Sequence, residues 1–218
     1  MKKTLFLLIL FIFLAGEKVS AAGDVERKLL PGERTDFLIR LEKNLKNSRT
    51  IQSKFTQEKH LSLFNDALIS RGLFAFAAPD RLRWEVTEPF HSLLIMNGRE
   101  VAKYDFPDGK NPRKLQFPAA NALSEVLQQI ADIHQGKFEA EAKNYDIEVY
   151  QGETARMTLV PKDPRMKKMI SQIDIGFSKG LDRVASVVIR EKGGDFTRIV
   201  FEDGPRNPTL PDSFFLIQ

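Results

Sequence analysis

Hydrophobic positions switch period once near the start of the chain and again near its middle. In "TDFLIRLEKNLKN", residues 35–47, Phe37, Leu38, Leu41 and Leu45 recur at helical spacing, and Thr35 or Asp36 is placed to cap the first turn. Period-2 alternation follows. "IQSKFTQEKH" sets Ile51, Ser53 and Phe55 on one face, and "GLFAFA" joins Phe74 and Phe76. "RLRWEV" opposes Leu82, Trp84 and Val86 to Arg81, Arg83 and Glu85, which predicts the tryptophan inside and the arginines in solvent. "HSLLIMNGREVAKYDF" reads as a hairpin about Asn97-Gly98. "PDGKNPRKLQFPAA", with three prolines, predicts a loop. "NALSEVLQQIADIHQG" then returns to helical spacing, with Leu123, Val126, Leu127, Ile130 and Ile133 on one face and Gly136 as the stop. "YDIEVY", "ARMTLVPK", "KMISQIDIGF", "RVASVVIRE" and "TRIVFE" resume the strands, with turns at "QGET", "SKGL" and "KGGD".

Such closely spaced strands predict a mainly β, α+β architecture with an antiparallel sheet of about ten or eleven strands. A sheet closed on itself would give two amphipathic helices little to cover. A strongly curved, unclosed barrel leaves an apolar concave face that they can roof. No internal repeat or low-complexity tract divides the chain, so residues 23–218 are expected to form a single domain.

The N-terminus changes the compartment. "MKKTLFLLILFIFLAGEKVSAAG" has a basic start, an apolar run from Thr4 to Gly16 and small residues at a cleavage point, which is the layout of a secretory signal peptide over residues 1–22. The apolar run is shorter than the roughly 18–20 residues a membrane span needs. "LAGE" has Glu17 where a lipoprotein signal would carry the lipidated cysteine. The chain holds no cysteine, so no disulfide framework supports it. Half of its +4 net charge belongs to the leader, through Lys2, Lys3 and Lys18 against Glu17, which weakens any argument for nucleic acid. His60, His91 and His134 are far apart and show no metal-ligand spacing, and there is no nucleophile elbow or phosphate loop. The expectation is a protein that is not an enzyme and has no metal or cofactor.

Three stretches, "SKFTQEK", "GLFAFAAPDRLRWEVTEPF" and "LLIMNGREVAKYDF", resemble the LolA family of periplasmic outer-membrane lipoprotein carriers. The spacing from Gly72 through Pro79 to Trp84, with a second proline at Pro89, carries much of the likeness, and the match extends loosely over residues 35–217. The resemblance implies an unclosed β-barrel whose apolar cavity lies under a helical lid. It also implies a periplasmic protein that binds the acyl chains of lipoproteins, or another envelope lipid, and shuttles them toward the outer membrane. Cargo, an inner-membrane donor and an outer-membrane acceptor are the partners implied, and a monomer is expected. Family carriers commonly have a basic residue just before the hairpin proline, which latches the lid; here that position is Ala78. A lipid-sensing interaction protein on the same fold, or an unrecognised enzyme, remain alternatives. The expected lining is Phe55, Phe74, Phe76, Leu82, Trp84, Ile95, Tyr104, Ile173, Ile175 and Phe177, and the expected lid residues are Leu123, Leu127 and Ile130.

Overall fold

Alternating residues in neighbouring segments pair directly across from one another, so a single sheet takes up nearly every strand signal in the chain. The computed structural model describes residues 26–115 and 120–216. The predicted leader lies outside the described residues.

Strand β1 (Arg27–Lys28) leads into helix α1 (Pro31–Lys46). Strands β2 (Thr50–His60), β3 (Leu68–Ala77), β4 (Arg81–Glu88), β5 (Ser92–Asn97), β6 (Glu100–Asp105) and β7 (Arg113–Leu115) form an antiparallel meander. Helix α2 (Ala120–His134) and the short α3 (Phe138–Glu141) follow. The chain then runs through β8 (Tyr145–Gln151), β9 (Ala155–Pro161), the one-turn α4 (Pro164–Lys167), β10 (Ile170–Phe177), β11 (Val184–Glu191) and β12 (Phe196–Phe201). The two meanders join through β12 and β2 into one 12-stranded antiparallel sheet, in the order β1-β8-β9-β10-β11-β12-β2-β3-β4-β5-β6-β7. β1 and β7 are its open edges, so the barrel is not closed.

Twelve strands exceed the expected ten or eleven because β1 and β7 are two and three residues long, too short to show a period. β7 forms inside the proline-rich stretch read as loop. Helix α1 begins at Pro31, before the expected Thr35 or Asp36 cap. Pro31 opens the helix, and the Glu33 carboxylate accepts the Leu30 backbone N–H at 2.9 Å. Thr35 lies inside the helix, its hydroxyl donating to the Pro31 carbonyl. At the other helix, Gly136 adopts φ +72°, and a β-carbon there would stand 2.8 Å from the Glu42 Cα of α1. A glycine therefore both ends α2 and lets it abut α1.

The concave face divides between the two helices. α1 contributes Phe37, Leu41 and Leu45 to a core with Tyr145, Val149, Met157, Leu159, Ile175, Phe177 and Val184, sealed by Phe138. α2 contributes Leu127 and Ala131 to a second core with Phe55, Phe74, Phe76, Leu82, Met96 and Ile199. The outer face is covered in part as well. Asp212–Phe215 forms a 3-10 turn whose Phe215 is buried against Ala75 and Ala77. Arg83 donates to the Phe214 carbonyl at 3.0 Å, lies over the Phe214 ring and bonds Glu85. Arg81 lies over Phe215 and pairs with Asp212. These arginines were expected in solvent; the C-terminal segment, more than a hundred residues away in sequence, covers their face instead.

Candidate functional site

Register fixes which side chains meet under α2. Directly opposed residues of antiparallel strands share a face. Ser53, Phe74, Trp84, Leu94 and Lys103 thus form one row across β2 to β6, and Ile51, Phe76, Leu82, Met96 and Val101 form the next. A third runs through Phe201, Phe55, Gly72, Val86 and Ser92. At Gly72 a β-carbon would fall 1.9 Å from the Glu85 carbonyl oxygen and 2.9 Å from the Phe55 ring, so glycine is what lets these groups close in. Phe55 in turn lies 4.8 Å from the Trp84 ring, and Phe74 meets Trp84 at 5.5 Å, edge to face.

Helix α2 adds a residue that spacing alone did not single out. His134 stacks on Phe74 at 4.9 Å and on Phe76 at 5.9 Å, with Phe201 edge-on at 6.2 Å. It continues the Leu127, Ile130 and Ala131 face of the helix, and that helical position was the available signal. The ring is buried and its Nδ1 has no hydrogen-bond partner. Burial pushes its pKa down to about 4. Gln57 on β2 is also buried, and its Oε1 likewise has no partner. Beside the imidazole opens a cavity of about 30 Å³, lined by Ile51, Ser53, Phe74, Phe201 and Arg183 among others. It has room for a water-sized molecule, far short of the roughly 300 Å³ at which small-molecule pockets begin. Phe55, Phe74 and Phe76 pack in the same core as Leu127 and Ala131 of α2.

The C-terminal end of α2 is tied down. The Gln135 side-chain amide donates to the Pro79 carbonyl of the β3–β4 turn at 2.7 Å. Ala78, at the family's basic position, is half-buried against the α2 core. The tie therefore runs from the helix to the turn.

The expected lining separates into three groups. Phe55, Phe74, Phe76, Leu82 and Trp84 lie on the concave face under α2. Ile173, Ile175 and Phe177 pack in the core under α1, with Phe138 against Phe177. Ile95 and Tyr104 belong to the other face. Ile95 pairs with Arg83 and Tyr104 with Leu93, one register step from Trp84 and Leu94. The run "LLIM" is apolar at consecutive positions, so period 2 gave no way to choose between Leu94 and Ile95. Of the lid residues, Leu127 is buried and Ile130 half-buried against the sheet, while the Leu123 side chain lies outside the described residues.

The family model described as outer membrane lipoprotein carrier protein LolA matches residues 46–218. The outer-membrane lipoprotein carrier protein of Dechloromonas aromatica (strain RCB) is 27% identical over 172 residues, 78% of each chain. That of Nitrosomonas europaea is 28% identical over 170 residues, 76% of this chain and 77% of the relative. Among solved structures, a LolA superfamily protein from Nitrosomonas europaea aligns over 84% of this chain and 97% of its own, with 13% identity and a TM-score of 0.43.

Proposed function

Because the chain belongs to the family of outer membrane lipoprotein carrier proteins LolA, we propose that it carries acyl chains of lipoproteins, or of another envelope lipid, through the periplasm between the α2 helix and the concave wall beneath it. On this reading the protein is exported by its leader, takes cargo from an inner-membrane donor, delivers it to an outer-membrane acceptor and catalyses no reaction.

The observation that carries the proposal is the nature of the α2 contact. It is apolar and aromatic, yet it buries His134 Nδ1 of α2 without a partner. Closing α2 removes Leu127, Ile130 and Ala131 from water, worth about 1.5–3 kcal/mol for each large aliphatic side chain. The unpartnered His134 nitrogen offsets about 1–3 kcal/mol of that gain. The closed and open positions of α2 are thereby brought near balance, as a carrier that must both load and unload requires. An acyl chain contributes about 0.8 kcal/mol per buried methylene. It can therefore replace α2 on the wall, where Phe55, Phe74 and Trp84 offer broad contact without demanding a fixed shape.

Trp84 is the only tryptophan of the chain and stands in that wall. Titration with a triacylated lipopeptide is expected to give a 1:1 complex in native mass spectrometry and to shift Trp84 emission. If no complex forms at saturating lipopeptide, the carrier reading is lost. If a complex forms and emission stays unchanged, the cargo lies elsewhere than under α2.

A further inference from the structure

Of the eight large apolar side chains exposed among the described residues, four lie in loops at one end of this molecule, while Leu30, Ile39, Val200 and Leu216 are scattered singly over other elements. Leu63 is 90% exposed, Phe90 55%, Met169 49% and Phe64 40%. They sit in three loops, 61–67 between β2 and β3, 89–91 between β4 and β5, and 162–169 between β9 and β10. The register brings these loops to the same rim. Lys59 pairs with Leu68, Arg71 with Glu88 and Val86 with Ser92, while Phe196 pairs with His60 and Ile170 with Glu191. The turns of the opposite rim, 78–80, 98–99, 152–154 and 178–183, contain no exposed large apolar residue among the described residues.

Charge on the same rim is sorted. Lys167 and Lys168 of the β9–β10 loop, Lys192 of the β11–β12 turn and Lys110 of the β6–β7 loop are exposed and form no ion pair among the described residues. Most acids of these loops are turned onto neighbouring backbone. Asp163 accepts the Arg165 and Met166 N–H groups, Asp108 those of Lys110 and Asn111, and Asp195 that of Ser62. Asp66 is the acid in these loops with no partner among the described residues. The rim therefore presents apolar tips on separate loops, with free ammonium groups between them.

We infer that this rim docks on an anionic lipid surface, Leu63 and Phe90 entering the headgroup layer while Lys167, Lys168 and Lys192 meet lipid phosphates. Apolar tips alone would suit a protein groove equally well. The unpaired lysines, set against acids already satisfied by backbone, favour a surface of negative charge with an apolar layer just beneath it. Docking of this kind needs no cargo, so it stands or falls apart from the acyl-carrier reading.

The test is co-sedimentation with vesicles of phosphatidylethanolamine and phosphatidylglycerol, against phosphatidylcholine alone. The protein should partition to the anionic vesicles. The double variant Leu63→Asp/Phe90→Asp should lower that partitioning about tenfold or more. Lys167→Gln and Lys168→Gln should each lower it about fivefold, on anionic vesicles only. In a Trp84→Phe background, the indole of Phe90→Trp should shift to shorter wavelength when anionic vesicles are added. Equal partitioning of all variants, or an unshifted indole, overturns the proposal. So does loss of binding to a purified envelope protein with vesicle partitioning unaltered, which would make the rim a protein-docking face.

Discussion

Under α1 the sheet offers Val149, Met157, Leu159 and Ile175, and the helix answers with Phe37, Leu41 and Leu45. Under α2 the same concave face offers Phe55, Phe74, Phe76 and Trp84, and the helix answers with Leu127, Ala131 and a histidine. Of the two unpartnered buried side-chain atoms found among the described residues, His134 Nδ1 belongs to α2 and Gln57 Oε1 stands on β2 opposite Ile199 of the second core. The first contact mixes aliphatic residues with Phe37, Tyr145 and Phe177, leaves no buried side-chain atom unpartnered among the described residues and is anchored at both ends. Arg34 donates to the Ile147 carbonyl near the start of α1, and Asn44 to the Gly180 carbonyl near its end. The second sets His134 against the Phe74 and Phe76 rings and is tied at its C-terminal end by Gln135. On the carrier reading, one sheet holds one helix as structure and the other as a movable cover.

The sharpest way to break this contrast is to cut an equivalent leucine from each side. Leu41→Ala should destabilise global unfolding in urea by about 2–5 kcal/mol. Leu127→Ala should cost less than half as much, because α2 can lift while the sheet stays folded, and should instead speed hydrogen exchange of the α2 amides. Equal losses in urea would mean that both helices are equally part of the fold.

Acid should separate the halves next. The His134 ring faces Phe74, Phe76 and Phe201, and Asp182, Arg183, Glu202 and Arg206 line the adjoining cavity. Buried, the ring titrates at about 4; exposed, it returns to its ordinary 6.5. Between those values the open state binds more protons than the closed one. Closure is therefore fully stable above pH 6.5, weakens as pH falls through that window and loses about 3 kcal/mol by its lower end. Hydrogen exchange of α2, followed from pH 7 down to 4, should accelerate while α1 amides keep their protection.

His134→Phe brings the two halves closer, since it removes the unpartnered nitrogen and keeps a ring against Phe74. It should stabilise closure by about 1–3 kcal/mol and flatten the acid response of α2. An unchanged pH profile in this variant would assign the response to another group.

The smallest effect is expected at the tie. Gln135→Ala removes one side-chain hydrogen bond to Pro79 and should favour lid opening by about 1 kcal/mol, near fivefold in cargo exchange rate. Ala78→Arg, which adds a donor to the same turn, should slow exchange. If both variants exchange at the wild-type rate, α2 is held by its apolar face alone.

Local pattern was enough to place Phe55, Phe74, Phe76, Leu82 and Trp84 on one face, because pleating alternates side chains whatever the neighbours are. It was also enough to find both long helices and the Asn97-Gly98 hairpin, whose signals lie within a few residues of one another. The faces of Ile95 and Tyr104 were not legible. "LLIM" is buried on both sides of the sheet, one side under α2 and the other near the turn that buries Phe215, so its hydrophobicity carries no direction. Nor did the sequence show that Ile173, Ile175 and Phe177 lie under α1, that Arg81 and Arg83 are covered from the outside, or that His134 is enclosed by Phe74, Phe76 and Phe201. Each of these depends on contacts between segments dozens to more than a hundred residues apart. The period of a strand is set by its own backbone; what covers each face is set by which distant segment reaches it, and only the assembled sheet decides that.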